Sequence, residues 1–450
     1  MPKRVLLLVL FFALQSTFVW ASSMSKPPTH SYTLDNGLEV IIREDHRAPV
    51  VTVMVWYRVG SIDEPAGMTG ISHMLEHMLF KHTKHLTPGE YSELVARYGG
   101  RTNAFTSYEY TGYYQEYEAS RLPLALELEA ERMANLEIHD DEFYREAKVV
   151  HEERRQRTDD NPSALAWEKF AAILRPGTGY AHPVIGWQRD IEGYESSQAM
   201  RWYEQWYAPN NAVVVIAGDV DPQEAQQLVQ KYFGALEAKK LPHRPKPQLA
   251  PAAGERRLNL QLAVQVPTLY MGWNVPSLAT ASDDEDFYAL LMLAGVLDGG
   301  YSARIESNIV RGQRLAAGAG ASYQGIARGD GLFTMSASAN PGISLEHLEK
   351  QLLAEVQRIV DEPPSPAELQ RVRAQVVAAD VYGKDSVFGQ AMELGYYSMA
   401  NVPWEMAEQL AERLAEVTPE AVSAAAKQWL VKERSAVAHV QPLTTTKDDS

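Results

Sequence analysis

Two histidines and a glutamate lie close together in the order His73, Glu76, His77. Apolar residues before, between and after them recur at helical spacing, at Ile71, Met74, Leu75, Met78 and Leu79, so residues 70–80 are predicted to form a helix packed on a core. The two histidines and the glutamate then project together from adjacent turns of its other face. Two imidazoles one turn apart can hold one Zn²⁺, and a neighbouring carboxylate can accept a proton from water. The order is H-x-x-E-H, but a five-residue pattern also recurs in unrelated chains, so a chance occurrence stays open.

Acidic residues that could complete a metal site lie in a predicted helix over residues 140–157. Glu146 and Glu153 are two turns apart and share one face. A carboxylate added to two histidines leaves a fourth position for water, as in catalytic zinc sites. The helix is dense in charge, so its own pattern leaves Glu146, Glu152 and Glu153 open both as ligands and as solvated residues.

The predicted metal helix follows directly from a core strand. Asn36-Gly37 predicts a hairpin between residues 32–34 and 38–42, and residues 50–59 form a long β-branched and aromatic strand. A strand that leads straight into the helix gives the site a rigid base. His82 and His85 come after the helix, where turn residues lead the chain away, and are predicted to be loop residues rather than ligands.

Asn103, Ala104 and Phe105 precede an aromatic run that predicts a hairpin. In one interpretation, the aromatic residues of this hairpin pack the sheet. In the other, Asn103 to Phe105 form an edge strand beside the metal, to which an extended peptide adds as a further strand. The local pattern does not separate the two.

Composition bounds the class of protein. A chain of 450 residues with 45% hydrophobic and 22% charged residues is typical of a soluble globular protein of two or more domains. Its formal charge of -16 argues against nucleic acid as a partner. With 0 cysteines the sequence excludes disulfides, thiolate zinc ligands, a cysteine nucleophile and a lipid anchor on cysteine.

Residues 1–21 are predicted to be a signal peptide, with Lys3 and Arg4 before an apolar stretch and cleavage after Ala21. An uncleaved anchor helix is the alternative, although the apolar run is short for a bilayer span. No other segment could cross a membrane, so no stable membrane insertion is expected after cleavage. The prediction is an exported protein, periplasmic if the source is a two-membrane bacterium.

The chain resembles the pitrilysin-like inverzincin metallopeptidases, the family of the mitochondrial processing peptidase and insulin-degrading enzyme. The resemblance rests on motifs in order, namely His73–His77, Gly99-Gly100, Asn103–Ser107, Glu146–Glu153, and Trp206–Asn211 followed by Ala217–Val220. It implies a zinc endopeptidase with one Zn²⁺ per chain and peptides as substrates. It also implies that His73, His77 and Glu153 are the ligands, that Glu76 is the general base and that Glu146 supports the site.

The fold implied by the resemblance is α+β, with two homologous domains, each a mostly antiparallel sheet packed with helices, that form half of a clamshell. A metal-bearing domain is expected at 28–237, a linker rich in Pro, Lys and Ala at 238–256, and a peptidase-like domain without metal at 257–442. Traces of duplication are visible, because Gln205-Trp206 and Gln428-Trp429 each precede a closing strand.

One departure from the family pattern concerns substrate binding. Many members hold the substrate with an arginine and, seven residues later, a tyrosine, whereas this chain has Arg311 but Gly318. Tyr323, on the same predicted strand, is a candidate substitute. Because short members pair with a second chain, the resemblance implies a heterodimer in which a homologous partner supplies the Arg/Tyr pair. The alternatives are a non-catalytic assembly subunit or a peptide-binding module of the same fold.

Overall fold

The computed structural model describes residues 28–246 and 248–443, so the predicted signal peptide lies outside it. Within these ranges, no helix is both long and apolar enough to cross a membrane. The strands are β1 (Thr29–Thr33), β2 (Glu39–Glu44), β3 (Val50–Tyr57), β4 (His82–Thr83), β5 (Arg101–Thr106), β6 (Thr111–Glu118), β7 (Leu136–Glu137), β8 (Ala212–Gly218), β9 (Arg256–Leu262), β10 (Thr268–Val275), β11 (Ala316–Gln324), β12 (Gly331–Ala339) and β13 (Ser435–Pro442).

Helices cover the sheets and connect their strands. They are α1 (Ile71–Met78), α2 (Glu90–Arg97), α3 (Leu122–Ala134), α4 (Asp140–Arg154), α5 (Pro162–Leu174), α6 (Gln188–Glu192), α7 (Ser196–Trp206), α8 (Pro222–Phe233), α9 (Glu285–Leu297), α10 (Leu345–Asp361), α11 (Pro366–Gly383), α12 (Val387–Met399), α13 (Glu405–Glu408), α14 (Leu410–Glu416) and α15 (Pro419–Trp429). Two π-helical turns, Arg155–Asp159 and Glu306–Gly312, complete the helical segments named here.

The first sheet, within the described residues, has the strand order β1-β2-β8-β3-β6-β5. The predicted hairpin at Asn36-Gly37 is confirmed, with Thr33 opposite Glu39. Strands β2 and β8 are parallel, and the other neighbours are antiparallel. Every residue of β3 after Val50 is buried, as expected for a central strand covered on both faces. Strand β5 forms the edge next to α1, and this edge becomes part of the site described below.

The second sheet repeats the topology of the first. Its order in the described chain is β11-β12-β10-β13-β9, and β9 pairs in parallel with β13 as β2 does with β8. By position, β11 corresponds to β5, and α9 corresponds to α1. Helix α9 has no histidine in its sequence, so it cannot repeat the metal motif. The predicted α+β class, with two similar and mostly antiparallel sheets, is confirmed.

In sequence, the strands of the first sheet precede the predicted linker and those of the second sheet follow it. Each sheet is nevertheless covered in part by a helix from the other half. Helix α5, from the first half, buries Phe170 and Leu174 against Ala436 and Ala438 of the second sheet. Helix α12, from the second half, packs in return on β3 and β8 of the first sheet. Neither sheet is therefore complete without a helix from the other half, and the domain boundaries given above stay a prediction.

The exchanged helix α12 gives a test of this packing. A Cβ on Gly395 would lie 2.1 Å from the buried ring of Trp56. We expect Gly395→Ala to lower the free energy of unfolding by about 1–3 kcal/mol, because either the ring of Trp56 or helix α12 must shift to make room for the methyl group. Gly383→Ala is the control, since nothing lies within 4 Å of that Cβ and alanine favours helix by up to about 1 kcal/mol. Urea denaturation of both variants measures the difference, and equal stabilities would contradict this packing.

Candidate metal centre

The start of α1 is fixed by a buried carboxylate. Gly70 adopts φ 87 at the N-terminus of the helix, and a Cβ there would lie 2.3 Å from the carbonyl oxygen of Ile185. Glu64 accepts hydrogen bonds from the backbone N–H of Gly70 at 2.6 Å and of Ser72 at 2.8 Å. Burial raises the pKa of Glu64 to about 8, although the two backbone hydrogen bonds oppose that rise. The cap satisfies N–H groups at the start of the helix and so fixes where the helical side chains point.

Three potential ligand groups converge between α1 and α4. One ligand atom each from His73, His77 and Glu153 lies within 4.8 Å of the other two. The Nε2 atom of His73 is 3.8 Å from one oxygen of Glu153, and the Nε2 atom of His77 is 3.5 Å from the other. Two imidazole nitrogens and one carboxylate oxygen form a donor set that suits zinc.

Glu146 fixes the orientation of His77. One of its oxygens is 2.9 Å from His77 Nδ1, and the other is 2.7 Å from Lys81 Nζ. Because Nδ1 faces a carboxylate, it keeps its proton, which leaves Nε2, the nitrogen that faces Glu153, as the one that can bind a metal. Burial alone would lower the pKa of His77, but hydrogen bonds to Glu146 and Glu153 outweigh it and raise the pKa to about 9. Near neutral pH the Nε2 atom therefore also carries a proton, which a metal must displace to bind.

His73 is already held in the form that a metal needs. Its side chain is buried, and Nδ1 has no hydrogen-bond partner in the described structure. Burial, with the neighbouring His77 as a second cause, lowers the pKa of His73 to about 4. A neutral imidazole directed at Glu153 is suited to a cation, so the residues present fit a zinc ion.

Glu76 lies on the same cavity wall but outside the group of three. Its carboxylate accepts a hydrogen bond from Thr106 Oγ1 at 2.5 Å. Burial raises the pKa of Glu76, and the bond from Thr106 opposes that rise. A carboxylate whose pKa is raised toward neutrality is better matched to proton transfer than an ordinary glutamate.

The cavity in front of these residues has a volume of about 640 Å³. The edge strand β5, which lies next to α1, contributes Asn103, Ala104, Phe105 and Thr106 to the cavity wall. One side of β5 pairs with β6, and in the described sheet its other side has no strand. The structure therefore brings the predicted edge strand to the group of ligands.

Comparisons with known proteins match both halves of the chain. Residues 39–186 match the family model described as insulinase (peptidase family M16), and residues 196–376 match peptidase M16 inactive domain. Zinc protease PqqE of Helicobacter pylori is 33% identical over 354 residues, which are 77% of this chain and 78% of PqqE. The chain belongs to peptidase family M16. The match of its second half to the model called inactive agrees with a motif found in the first half alone.

Solved structures share the M16 fold. A crystal structure of a protease from Helicobacter pylori superposes with a TM-score of 0.85 at 29% identity and covers 92% of this chain and 100% of that chain. The periplasmic protease PqqL from Escherichia coli has a TM-score of 0.75 at 20% identity. This chain is covered over 92% of its length but spans only 47% of PqqL. The M16 chain is thus about half the length of that protein.

Other predicted positions lie away from the three potential ligands. Arg311 is absent from the described residues that line the cavity, and it donates instead to the carbonyl of Tyr301 at 2.6 Å. Gly318 and Tyr323 lie on β11 as predicted, but the Tyr323 hydroxyl donates to the carbonyl of Pro276 at 2.6 Å. That bond makes Tyr323 a poor substitute for the missing tyrosine.

The histidines after α1 are not part of the group either. His82 was predicted to lie in a loop, but it pairs with β7 as part of the short strand β4, which is a correction. Its ring stacks on His139, and its Nε2 is 3.3 Å from Glu142. His85 contacts Glu131 at 3.0 Å. Strand β4 pairs with residues that are distant in sequence, so the local pattern around His82 does not indicate a strand.

Several residues that position the M16 site were not singled out from the sequence. Thr106 contacts Glu76, Lys81 contacts Glu146, and Glu64 caps α1. Glu109, in the turn after β5, accepts the backbone N–H of Arg328 at 2.7 Å. The second half of the chain therefore holds the turn that carries the edge strand. Only Thr106, which lies inside a recognised motif, had a sequence signal.

The contact between Glu146 and His77 leads to a testable prediction. We expect Glu146→Gln to weaken zinc binding by about 10–100-fold, because the charge that orients and supports His77 is lost. Glu142→Gln on the same helix is the matched control, since Glu142 faces His82 instead. Competition with a chelating dye measures both affinities. An equal loss in the two variants, or none in Glu146→Gln, would contradict the role of Glu146.

Proposed function

We propose that this chain is a zinc-dependent endopeptidase that hydrolyses unfolded or short peptides. The observation that carries the proposal is the convergence of His73, His77 and Glu153 in one cavity that also contains Glu76 and the edge strand β5. Relatives such as PqqE bear the name zinc protease, which supports the choice of metal. In this proposal each chain holds one Zn²⁺, with those two histidines and Glu153 as ligands.

The mechanism divides the work between the metal and the chain. A zinc ion, when bound, supplies Lewis-acid chemistry that polarises a scissile carbonyl and lowers the pKa of water to about 7. Glu76 accepts the proton of the attacking water and returns it to the leaving amine. Thr106 donates to one oxygen of Glu76 and so keeps the other oxygen directed toward the cavity. Glu146 holds His77 in the tautomer that a ligand needs.

The edge strand explains the preference for unfolded or short peptides. An extended peptide can add to β5 through backbone hydrogen bonds, with Asn103, Ala104 and Phe105 as the residues that receive it. A segment inside a folded domain already uses its backbone groups in its own structure. A peptide with free backbone groups is therefore the better substrate for this site.

We further propose that the chain works as the metal-bearing subunit of a heterodimer. Arg311 is held by Tyr301 and Glu306, away from the described cavity wall, and the family's tyrosine position is Gly318. PqqL is about twice as long as this chain. A homologous second chain would supply the Arg/Tyr pair. Affinity purification from the native host, followed by mass spectrometry, tests this, and recovery of homodimers alone would count against it.

Export to the periplasm is also a proposal. It is supported by the N-terminal sequence and by the description of PqqL as a periplasmic protease. N-terminal sequencing of the protein from a periplasmic extract is expected to begin at Ser22. An intact Met1 would argue for an uncleaved segment instead.

The proposed activity is tested on a mixture of unstructured peptides. The purified chain is stripped with a chelator, and cleavage is followed by mass spectrometry before and after Zn²⁺ is restored. We expect turnover only with metal. Zinc binding without cleavage, also in the presence of a homologous partner chain, would favour the alternative of a non-catalytic peptide-binding or assembly subunit.

A further inference from the structure

Arg157 is a cationic residue beside the metal group with no role in the mechanism above. It lies in the π-helical turn Arg155–Asp159, which directly follows α4, and it lines the metal cavity. Its Nη1 is 2.6 Å from one oxygen of Glu153, and its side chain is 73% exposed. The guanidinium is therefore tied to a potential ligand at one end and open to the cavity elsewhere.

The arginines that precede it in the chain are committed to other partners. Arg154 is buried and donates to Glu168 and to the carbonyl of Gly186. Arg155 is paired with Glu152 and Asp160 and is absent from the described cavity lining. Three arginines within four residues thus have different surroundings, and of these three it is Arg157 that faces the cavity.

Lys81 is the other lysine or arginine on the described cavity wall, and it is already paired. Its Nζ is 2.7 Å from Glu146, the same carboxylate that holds His77. Lys81 can therefore reach a substrate charge only by weakening the support of the metal group. Arg157 has no such constraint, because a guanidinium has five N–H groups and one contact with Glu153 leaves the others to donate.

The two oxygens of Glu153 allow a metal and Arg157 to be bound together. The oxygen next to Arg157 is Oε1, which also lies 3.8 Å from His73 Nε2, whereas Oε2 is the one 3.5 Å from His77 Nε2 and has no contact with Arg157 among the ion pairs described. A carboxylate can give one oxygen to a cation and the other to a guanidinium. The contact with Glu153 thus holds Arg157 at the edge of the reaction site without removing the proposed ligand.

We propose that Arg157 is a specificity-determining residue that binds an acidic side chain of the substrate. A planar guanidinium pairs with a carboxylate through two parallel hydrogen bonds. An amide side chain has no negative charge and therefore pairs with a guanidinium less strongly. The inference rests on the proposed peptidase function. Peptides with Asp or Glu at one fixed position near the scissile bond are therefore preferred as substrates over peptides with Asn or Gln at that position.

The overall charge of the chain makes a local cation necessary for such a preference. A formal charge of -16 repels acidic peptides at long range. At physiological ionic strength the Debye length is about 8 Å, so the charges next to the substrate decide the interaction. The acidic preference should therefore persist at physiological salt and weaken as salt is raised further.

The test compares peptide pairs that differ only by Asp against Asn or Glu against Gln at each position. With the zinc-loaded chain we expect kcat/KM to be on the order of 10-fold higher for the acidic member at one position. Arg157→Gln should bring that ratio close to one, and Arg157→Asp should favour Lys or Arg at the same position. Arg155→Gln is the matched control and should keep the wild-type ratio.

A binding measurement separates this inference from the proposed function. Fluorescence anisotropy of the same peptide pairs, on Glu76→Gln and on Glu76→Gln combined with Arg157→Gln, reports affinity without turnover. We expect the first variant to bind the acidic peptide more tightly and the second to lose the difference. Equal affinity for both peptides in the first variant overturns the role of Arg157. A retained acidic preference in the second overturns it as well, whether or not the wild-type chain cleaves any peptide.

Discussion

Replacing Glu76 with glutamine should lower peptide turnover by about 10²–10⁴-fold while zinc remains bound. Glutamine keeps the size of the side chain and can still accept the hydrogen bond from Thr106. It cannot take up a proton, so the step in which water is deprotonated loses its base. Because Glu76 lies outside the group of three potential ligands, metal content should not change.

Steady-state cleavage and zinc content of the same preparation measure the two effects together. Glu93→Gln, at an exposed position of α2, is the control and should behave as wild type. Turnover that persists in Glu76→Gln would remove Glu76 from the mechanism. Loss of zinc along with turnover would show that Glu76 is instead a ligand.

The second large effect concerns Glu153 and its neighbour in sequence. Loss of a residue that only supports a ligand lowers metal affinity by about 10–100-fold. We expect Glu153→Gln, which changes a proposed ligand itself, to lower zinc affinity by more than that. Its oxygens face both histidines, at 3.8 Å and 3.5 Å. Glu152 is half-exposed and paired with Arg155, so Glu152→Gln should bind zinc normally.

This pair of variants is a matched test, because the same change is made one residue apart on one helix. Zinc content after dialysis against a weak chelator gives the comparison. If Glu152→Gln loses zinc and Glu153→Gln retains it, the assignment is wrong by one residue. If both retain zinc, a third ligand comes from elsewhere.

The local pattern predicted the parts of the site that share one element. His73, Glu76 and His77 are on α1, where helical spacing alone puts them on one face. Glu153 is different, because the charge pattern of α4 left Glu146, Glu152 and Glu153 equivalent. Resemblance to a family selected Glu153, and the geometry now distinguishes it from its neighbours, since Glu153 faces the histidines.

Contacts between distant segments could not be predicted in the same way. The exchange of α5 and α12 joins Phe170 to Ala436 and Trp56 to Gly395, and no periodicity within one element reports such a pairing. The cap of α1 by Glu64 was missed because helix caps are usually Ser, Thr, Asp or Asn next to the first turn. The exchange depends on how the halves pack, and the cap depends on how the loop before α1 folds back on the helix. Periodicity within one element records neither.

The most direct measurement is an anomalous diffraction map, collected at the zinc edge, of crystals of the zinc-loaded chain. The account predicts one peak per chain, about 2.0–2.2 Å from a nitrogen of His73, a nitrogen of His77 and an oxygen of Glu153, with Glu76 unbound beside it. A peak held by other residues, or no peak in a protein that still cleaves peptides, would contradict it.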